Sequence, residues 1–507
     1  LAASACISNP TTAQSTSVPA ARYGGSVTVG IFDTLPGFCV GNNPANSALM
    51  ATRSIYETLF EKSSSGLMVG LLARYATPSS DRKTWTVTLR EGVTFHDGSA
   101  FDAAAVVANF NAITGRTALG AYVASGLAGL ASKSYTIGTG TAFTANIKSF
   151  SVKSEFVVEF VLDRAQYDFR STLYASGRFF MRSPAQLADS TTCAQNPIGT
   201  GPFKISSWTV DQLEVVRNND YWRHDPKTNA RLPYLDRITF TNVKESSQRS
   251  SAIRRGTIDA AFFSAATDST FVKDLRTRRT LVREFKSPTE YYPSLWLNQG
   301  KPNSPFANLS ARKAVLSCLD RANFVKVRTR SQGTVAKSLV GPTSLMYSTK
   351  NFPKYSPKAS RQHVKDYLLQ TGQPALTFTF PADTSTASQS NARFFKATWA
   401  KCNITANFVV EETANVIAKA FNPSAKLAQG EYYNAYDAIF ITLLEGQDVA
   451  YNVPFLVTNA YSNTSTNPVQ ALFKTSLGPV LNLNHHTDSA IDQYFYNGQA
   501  AASASAA

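Results

Sequence analysis

Residues 196–204 (NPIGTGPFK) carry two closely spaced glycines, a composition found in loops that bind phosphate groups. A phosphate loop of the Walker type needs a Gly-Lys-Ser/Thr sequence downstream, whose lysine and hydroxyl contact the phosphates and the magnesium ion. No such sequence follows here, and Pro202 removes a backbone N–H that a phosphate cradle would use. We therefore predict that the stretch has a structural role and does no chemistry.

The histidines do not form a recognisable catalytic group. The chain has five of them, and neither HExxH nor GxSxG occurs. His96 and Asp97 have the types of a catalytic dyad, but FHDGSAF around them fits a turn between a strand and a helix. His485 and His486 are adjacent in a polar loop, and we interpret them as solvated. The sequence predicts a protein that is not an enzyme and holds neither a metal ion nor another cofactor.

The 507-residue chain is strongly basic, with 50 Lys and Arg against 34 Asp and Glu, a net charge of +16. The basic residues are scattered, and the densest cluster, residues 276–283 (RTRRTLVR), lies in a predicted surface segment. No signature of a nucleic-acid-binding module accompanies it. We predict no nucleic-acid partner and a solvated basic surface near an anionic envelope.

The cysteines indicate an oxidising compartment. Cys6 ends the run LAASAC, which is typical of the end of a bacterial lipoprotein signal, and we predict that Cys6 is lipidated. Residues 1–21 are then a signal remnant and a flexible tether. Four cysteines remain for two disulfides: Cys39, Cys193, Cys318 and Cys402. The alternative is five unrelated buried thiols.

Strands and helices alternate over two halves of the chain, as in an α/β protein with two lobes. Alternating apolar residues predict strands at 24–33, 85–90, 155–162, 212–218, 237–243, 291–299, 375–380, 406–411 and 436–442. Helical periodicity predicts one helix that opens at Asn43 and Pro44, one that follows Asp102, and one at the start of 246–263. Further helices are predicted from Ser310 through Cys318 to Phe324, near 361–370, and at 391–404.

Five blocks of the chain are, in order, similar to those of one family. They are SIYETLF (54–60), WTVTLREGVTFHDGSAFDAAAVV (85–107), NPIGTGPFKISSW with LEVVRNNDYWR (196–208 and 213–223), RRGTIDAAFF (254–263) and PFANLSARKAVLSCLDR (305–321). Together they resemble the extracellular solute-binding proteins of the oligopeptide/dipeptide/nickel class (family 5), over roughly residues 24–492. In this family, the proteins are the capture subunits of ABC importers.

The resemblance implies a two-lobed fold of the periplasmic-binding-protein type (type II, a flytrap), which closes on its ligand about a hinge. Lobe one would comprise 22–262, with an extra subdomain at about 61–190, and would be completed by 472–507. Lobe two would comprise 263–471. In this fold the glycines of 196–204 would shape a tight turn, helped by their tolerance of positive φ. The end of the chain, QAAASASAA, departs from the family's last helix and strand, and this tail would be missing or differently built.

The resemblance also implies a function and a disulfide pattern. The protein would be a membrane-anchored extracytoplasmic lipoprotein that captures peptides and delivers them to the permease and ATPase subunits of an ABC transporter. Alternatives are a same-class receptor for a nickel chelate, a sugar or another small solute, a surface adhesin and, most distantly, a secreted hydrolase. Cys39 and Cys193 fall in the implied lobe one, and Cys318 and Cys402 in lobe two. We expect one disulfide within each lobe, so that the hinge stays free.

The ligand-binding residues are expected where strands end at the cleft. The family holds a peptide's amino group with an aspartate in D-x5-W-x-x-D, but counting from Asp437 these positions are Leu443 and Gly446. We therefore predict that Asp448 or, second, Glu445 pairs with the amine; the alternative is a pair of solvated loop carboxylates. The other predicted ligand contacts are Phe38, Asn42, Asn43, Trp296 and Asn298.

Overall fold

A computed structural model gives the arrangement of most of the chain. It describes residues 22–35, 37–40, 46–63, 65–114, 143–189, 191–264, 268–278, 282–285, 291–301, 303–342, 347–412, 415–416, 419–420, 436–445, 449–457, 482–486 and 488–501. Within these ranges, no helix has the length and apolar character needed to cross a bilayer. The predicted tether, Cys6 and the predicted helix start at Asn43 and Pro44 lie outside the described residues.

The strands follow the predicted alternation closely. They are β1 Ser26–Ile31, β2 Phe60–Lys62, β3 Met68–Gly70, β4 Ala73–Pro78, β5 Thr84–Leu89, β6 Ile147–Ser154, β7 Val157–Leu162, β8 Phe203–Trp208, β9 Gln212–Arg217, β10 Arg237–Asn242, β11 Ala260–Ala261, β12 Tyr291–Leu297, β13 Leu376–Asp383, β14 Ile404–Glu411 and β15 Ala438–Glu445. Every strand predicted from alternation is present, and the α/β class is confirmed.

The helices differ from the predictions in number and in bounds. They are α1 Asn46–Thr52, α2 Ala103–Ile113, α3 Phe169–Tyr174, α4 Pro184–Ala188, α5 Ser246–Arg255, α6 Ser269–Arg276, α7 Leu309–Cys318, α8 Arg321–Arg328, α9 Pro357–Thr371, α10 Thr386–Ala400, α11 Val449–Leu456 and α12 Ser489–Ala500. The predicted helix from Ser310 to Phe324 is two helices, because Leu319 is extended and the Asp320 side chain caps α8 by accepting from Asn323 N. Helices α3, α4, α6, α11 and α12 were not predicted.

A five-stranded sheet contains the first strand of the chain. Its strand order is β11-β1-β10-β9-β8, with β1 parallel to β10 and β11 and the remaining pairs antiparallel. The segment from α1 to residue 56 buries Leu49 and Ile55 against Ile31, Val215 and Phe240 of the strands. Because β1 and β11 are parallel, their carboxyl ends lie side by side. In open α/β sheets, ligands bind beyond the carboxyl ends of the strands.

A second sheet lies within the range predicted as the subdomain. Its order is β4-β5-β7-β6, all antiparallel. Alternation in β5 buries Trp85, Val87 and Leu89, and α2 packs on the same face through Phe110. Asp102 caps α2 by accepting from Ala105 N at 2.8 Å.

A third core lies within the range predicted as lobe two. The parallel pair β13–β14 packs with α7, α9 and α10. Trp399 of α10 is fully buried there, and its indole N–H donates to Val315 O of α7 at 3.1 Å. Ser356 caps α9, Pro357 occupies its first turn, and Gly372 ends it in the left-handed conformation.

The antiparallel pair β12–β15 separates two of these cores. Its alternating side chains go to opposite faces, as a strand requires. Trp296 and Ile439 join the core of the subdomain sheet, whereas Leu297 and Ala438 join the core around α10. This pair of strands is thus the structural link between the two regions.

The two disulfides have the expected pairing. Cys39 is bonded to Cys193, with Cα atoms 4.9 Å apart, and Cys318 to Cys402, with Cα atoms 6.3 Å apart. The first bond closes a separation of 154 residues and the second a separation of 84. Neither bond joins the five-stranded sheet to the core around α10, so neither locks a movement between them.

Candidate functional site

The stretch 196–204 is a structural brace that packs on the end of α1. Gly201 N donates to Ile55 O at 2.8 Å, and Phe203 N donates to Ser54 O at 3.0 Å. An ideal Cβ at Gly199 would lie 2.1 Å from Ile55 O, so a larger residue does not fit. The predicted structural role is supported, but its predicted reason is wrong, because neither glycine has a positive φ. Glycine is required here for close backbone approach.

Glu57 is the centre of a buried hydrogen-bond group that the sequence analysis missed. Its carboxylate accepts from Tyr221 Oη at 2.7 Å, Trp222 Nε1 at 2.9 Å and Thr200 Oγ1 at 2.9 Å. Burial raises the pKa of Glu57 to about 7, against the effect of these three donors. The contacts join SIYETLF, GTGPF and DYW, three blocks far apart in the chain. The signal available in the sequence was the single charged residue, Glu57, within the otherwise uncharged block SIYETLF.

His96 also binds this brace and is not part of a catalytic dyad. Its Nε2 lies 3.0 Å from Gly201 O, which fixes Nε2 as the protonated nitrogen because a carbonyl only accepts. Its Nδ1 is buried and has no hydrogen-bond partner among the described residues. Asp97 instead accepts from Ser99 N and Oγ, as the predicted turn requires. Burial lowers the pKa of His96 to about 4.

We expect His96 to make the protein less stable in mild acid. The pKa of His96 is about 4 in the folded protein and 6.5 in the unfolded chain. Between pH 4 and pH 6.5 the unfolded chain therefore binds more protons than the folded protein. Stability is therefore present above pH 6.5 and is lost as the pH falls toward 4. One pKa unit corresponds to about 1.4 kcal/mol, so the half-buried ring contributes on the order of 2–3 kcal/mol to the free energy of unfolding at neutral pH. Urea unfolding at pH 7.5 and 4.5 measures this loss.

The matched variant is His96→Gln, whose amide keeps a donor for Gly201 O but does not titrate. The stability difference between wild type and variant should shrink as the pH falls. Glu57 acts in the opposite direction in both proteins, because its raised pKa makes its contribution fall as pH rises from 4.5 to about 7. A difference that stays constant with pH would contradict the role of His96.

The adjacent histidines are packed, so the prediction of a solvated pair is wrong. His486 is 8% exposed, and its Nδ1 lies 3.2 Å from Asn482 Oδ1. The same segment runs beside the end of β12, where Leu297 N donates to Asn484 Oδ1 at 3.0 Å. Long-range pairing of 482–486 with β12 buries these side chains, which no local pattern indicates.

The predicted ligand residues are not all brought together. Phe38 is 2% exposed and packs on Trp208, with ring centroids 5.6 Å apart. Asn298 is fully buried, and its side chain bonds to Tyr436 O, Gly300 N and Lys301 N. Both side chains hold the fold together and present no surface to a ligand in this conformation. Asn42, Asn43 and Asp448 lie outside the described residues, and of Glu445 only the backbone, at the end of β15, is described.

Trp296, a predicted ligand contact, is buried next to α11. The side chain is 2% exposed, and its indole N–H has no acceptor among the described residues. Its ring lies 6.4 Å from that of Phe455 in α11. Phe455 and Tyr451, one turn apart, both contact Phe143, and the Tyr451 ring stacks on it at 4.9 Å. Helix α11 thus lies between β12 and the subdomain.

A strained turn after α3 brings two arginines toward α11. Ala175, Ser176 and Gly177 have φ values of 44°, 54° and 75°. A left-handed conformation costs about 1–2 kcal/mol for a residue other than glycine, and such strain is often found at binding sites. Ser176 O accepts from Arg178 Nη1 at 3.2 Å and from Arg53 Nη2 at 3.5 Å. The turn therefore concentrates two positive charges at one carbonyl.

Arg178 contacts the helix that follows the predicted acidic residues in the chain. Arg53 is exposed and also donates to Tyr174 Oη at 2.6 Å. The Arg178 guanidinium lies 5.6 Å from the centre of the Tyr451 ring, in the first turn of α11. In the chain, Glu445 and Asp448 immediately precede this helix. A guanidinium binds a carboxylate through two parallel hydrogen bonds, so the arrangement suits a carboxylate-bearing molecule.

A cavity near α11 is too small to be the site. It has a volume of about 30 Å³ and lies between α11, α12 and the subdomain, lined by Asn146, Gln166 and Pro454 among others. Such a space has room for water and not for a solute of the size of a peptide. Across the described ranges, no group of three or more His, Cys, Asp or Glu side chains could hold a metal ion.

The chain matches one family over most of its length. The sequence profile of the bacterial extracellular solute-binding proteins, family 5 (middle region), matches residues 68–465. A nickel-binding periplasmic protein of Escherichia coli K12 is 25% identical over 392 residues, which are 73% of this chain and 68% of the relative. A glutathione-binding protein (GsiB) of Pectobacterium atrosepticum is 28% identical over 333 residues, which are 64% of this chain and only 57% of the relative.

The fold is also that of a solved binding protein. The periplasmic binding protein DppA of Helicobacter pylori, in complex with the peptide STSA, superposes with a TM-score of 0.70 at 20% identity. The superposition covers 95% of this chain and 88% of DppA. The predicted two-lobed α/β fold with an extra subdomain is thereby confirmed.

Proposed function

The chain belongs to the bacterial extracellular solute-binding proteins of family 5, and we propose that its ligands are short peptides. As a member of this family it is an extracytoplasmic receptor of an ABC importer and not an enzyme. It hands its solute to the transporter's permease, which the ATPase subunits drive. Similar proteins bind peptides, glutathione or nickel. We infer from the site which of these classes of ligand this chain binds.

The observation that carries the proposal is the pair of arginines that meet at Ser176 O, one of which, Arg178, contacts α11. A peptide has a carboxylate at one end and an ammonium group at the other, and both need a partner when they leave water. Arg178 and Arg53 supply guanidinium groups for the carboxylate. The sequence supplies Asp448 and Glu445 for the ammonium group, directly before the helix that Arg178 contacts. Asp448 lies three residues before Tyr451, the residue that Arg178 contacts, and this short spacing favours a ligand of a few residues.

One other feature supports a closing site for such a ligand. The β12–β15 pair connects two separate cores, so a rotation about it would open and close a cleft. Small-angle scattering should show a contraction of the protein when the ligand binds.

A non-peptide solute of the same receptor class is the second candidate. The observation that favours it is the 25% identity to a nickel-binding protein, since the arginines would accept the carboxylates of a chelating ligand equally well. Membership of the family excludes a secreted hydrolase. Contraction of the protein on ligand binding would distinguish the receptor from a surface adhesin, which would lack a closing cleft.

The proposal is tested by identifying the solute. Mass spectrometry of the molecules released from the purified protein should find di- to tetrapeptides, and calorimetric titration with those peptides should give 1:1 binding. The nickel–histidine complex and a set of sugars serve as competitors. Binding of a chelate or a sugar, with no response to any peptide, would refute the peptide proposal.

Removing the acidic residues should weaken binding of a free amine specifically. In Asp448→Asn with Glu445→Gln, a buried ammonium would lose its partner, at about 2–5 kcal/mol for a pair that is fully desolvated. We expect peptide affinity to fall at least tenfold by titration calorimetry. An N-acetylated peptide, which lacks the amine, is the matched control and should bind both proteins alike. Unchanged affinity for the free peptide would mean that the amine is held elsewhere or is absent from the ligand.

We also propose that Cys6 is lipidated and that residues 7–21 tether the receptor to the outer face of the membrane. The run LAASAC supports this proposal. Metabolic labelling with a fatty-acid analogue in the native host, compared with Cys6→Ser, tests it.

A further inference from the structure

The basic cluster noted in the sequence is larger in the fold, because α5 and α6 bring their basic ends together. Asp274 Oδ2 lies 3.6 Å from Arg254 Nη1 of α5 and 3.9 Å from Arg278 Nε just beyond α6. Glu284 binds Arg276 through two contacts of 3.0 and 2.6 Å. The C-terminal ends of both helices and residues 282–285 therefore form one continuous surface, which we call the basic face.

Positive charge is in excess on the basic face. Its basic residues are Arg254, Arg255, Lys273, Arg276, Arg278 and Arg283. Among the described residues, Asp274 and Glu284 are the acidic partners of this face, so its positive charges exceed its negative ones by four. The two pairs with Asp274 are about 40% exposed on each side, so water screens them and they neutralise little. Arg249 of α5 does not add to this face, because it is buried and paired with Asp268 at 3.0 Å.

An exposed aromatic ring completes the surface. Phe285 is 81% exposed, and the Arg283 guanidinium lies 5.1 Å from its ring centre. A large apolar side chain in water is unfavourable by about 1.5–3 kcal/mol relative to burial. Cationic side chains beside an exposed aromatic ring are the composition of surfaces that bind at the headgroup level of a bilayer.

We propose that the basic face binds the anionic surface of the membrane lipids. Guanidinium groups pair with phosphate oxygens, and the Phe285 ring would enter the boundary between headgroups and acyl chains. The family places the protein outside the cytoplasm, close to the membrane that holds its importer, so the anionic surface within its reach is lipid. Such binding would fix the orientation of the receptor near its permease whichever solute it carries.

The experiment measures binding of the full chain to vesicles. Cys6→Ser is used throughout, so that no acyl chain contributes. Vesicles contain either phosphatidylcholine alone or phosphatidylcholine with phosphatidylglycerol in equal parts. We expect binding to the anionic vesicles only, weakening as salt rises from 50 to 300 mM. Each basic residue near such a surface contributes about 1 kcal/mol, so Arg254→Gln with Arg278→Gln should lower the affinity about 30-fold.

The matched control removes two exposed charges elsewhere, with Lys358→Gln and Lys365→Gln on α9. It should retain wild-type binding, whereas Phe285→Ser should weaken binding severalfold even at low salt. The proposal is overturned by equal binding to both kinds of vesicle, or by equal losses in the two double variants. Displacement by inorganic phosphate beyond that by chloride of the same ionic strength would also overturn it, since the face would then be a phosphate site.

Discussion

Gly201→Ala should destabilise the protein by about 3–5 kcal/mol or prevent it from folding. The new Cβ would lie 2.5 Å from both the carbonyl carbon and the oxygen of Ile55, and 2.8 Å from Ser54 O. These are backbone atoms and cannot move aside alone. Relief requires the two segments to separate, which breaks the bonds from Gly201 N and Phe203 N. Overpacking typically costs about 1–3 kcal/mol, and each lost hydrogen bond adds about 1.

Gly256→Ala is the matched control for this substitution. Gly256 ends α5 with a φ of 70°, and nothing lies within 4 Å of an added Cβ. Its replacement should therefore cost only the strain of a left-handed alanine, about 1–2 kcal/mol. Urea unfolding of the two variants compares them directly. Equal losses would mean that the close approach to Ile55 costs no more than the strain of a left-handed alanine, which would contradict the proposed role of Gly201.

Arg178→Gln should lower the affinity for a peptide by about 30-fold or more. The substitution keeps hydrogen-bond donors but removes the charge that we propose for the ligand's carboxylate. Loss of one partner of a desolvated charge pair costs about 2–5 kcal/mol, and the lower end applies to a half-buried arginine. Titration calorimetry with the peptide identified from the purified protein measures the change.

A cycle with a C-terminally amidated peptide isolates the carboxylate. Wild type should lose affinity on amidation, whereas Arg178→Gln should lose little more, because its partner charge is already gone. Arg170→Gln is the matched control: it removes the same charge from α3, but this side chain donates to Ala76 O at 2.7 Å, away from the turn. If amidation lowers the affinity equally in wild type and Arg178→Gln, the carboxylate is held elsewhere. That result would not contradict the receptor function.

The comparison of sequence with structure shows which predictions depended on local information. Alternation in β5 and β7 predicted both strands, because one face of each is buried whatever it packs against. The order of the sequence blocks indicated the family and, through its lobes, the pairing of the four cysteines. In contrast, the predicted ligand role of Phe38 and Asn298 is not supported by the arrangement, since both side chains are taken up by packing and hydrogen bonds.

The sequence by itself determined the α/β class, the family, most strand positions and the absence of a phosphate loop at 196–204. Only the tertiary structure revealed the Glu57 group, the left-handed turn that joins Arg53 to Arg178, and the continuous basic face. The first two depend on contacts between distant segments: Thr200 lies 143 residues from Glu57, and Ser176 lies 123 residues from Arg53. A periodic pattern indicates which side of a helix or strand is buried. It does not state which other element covers it, because that choice is made by the packing of the whole chain.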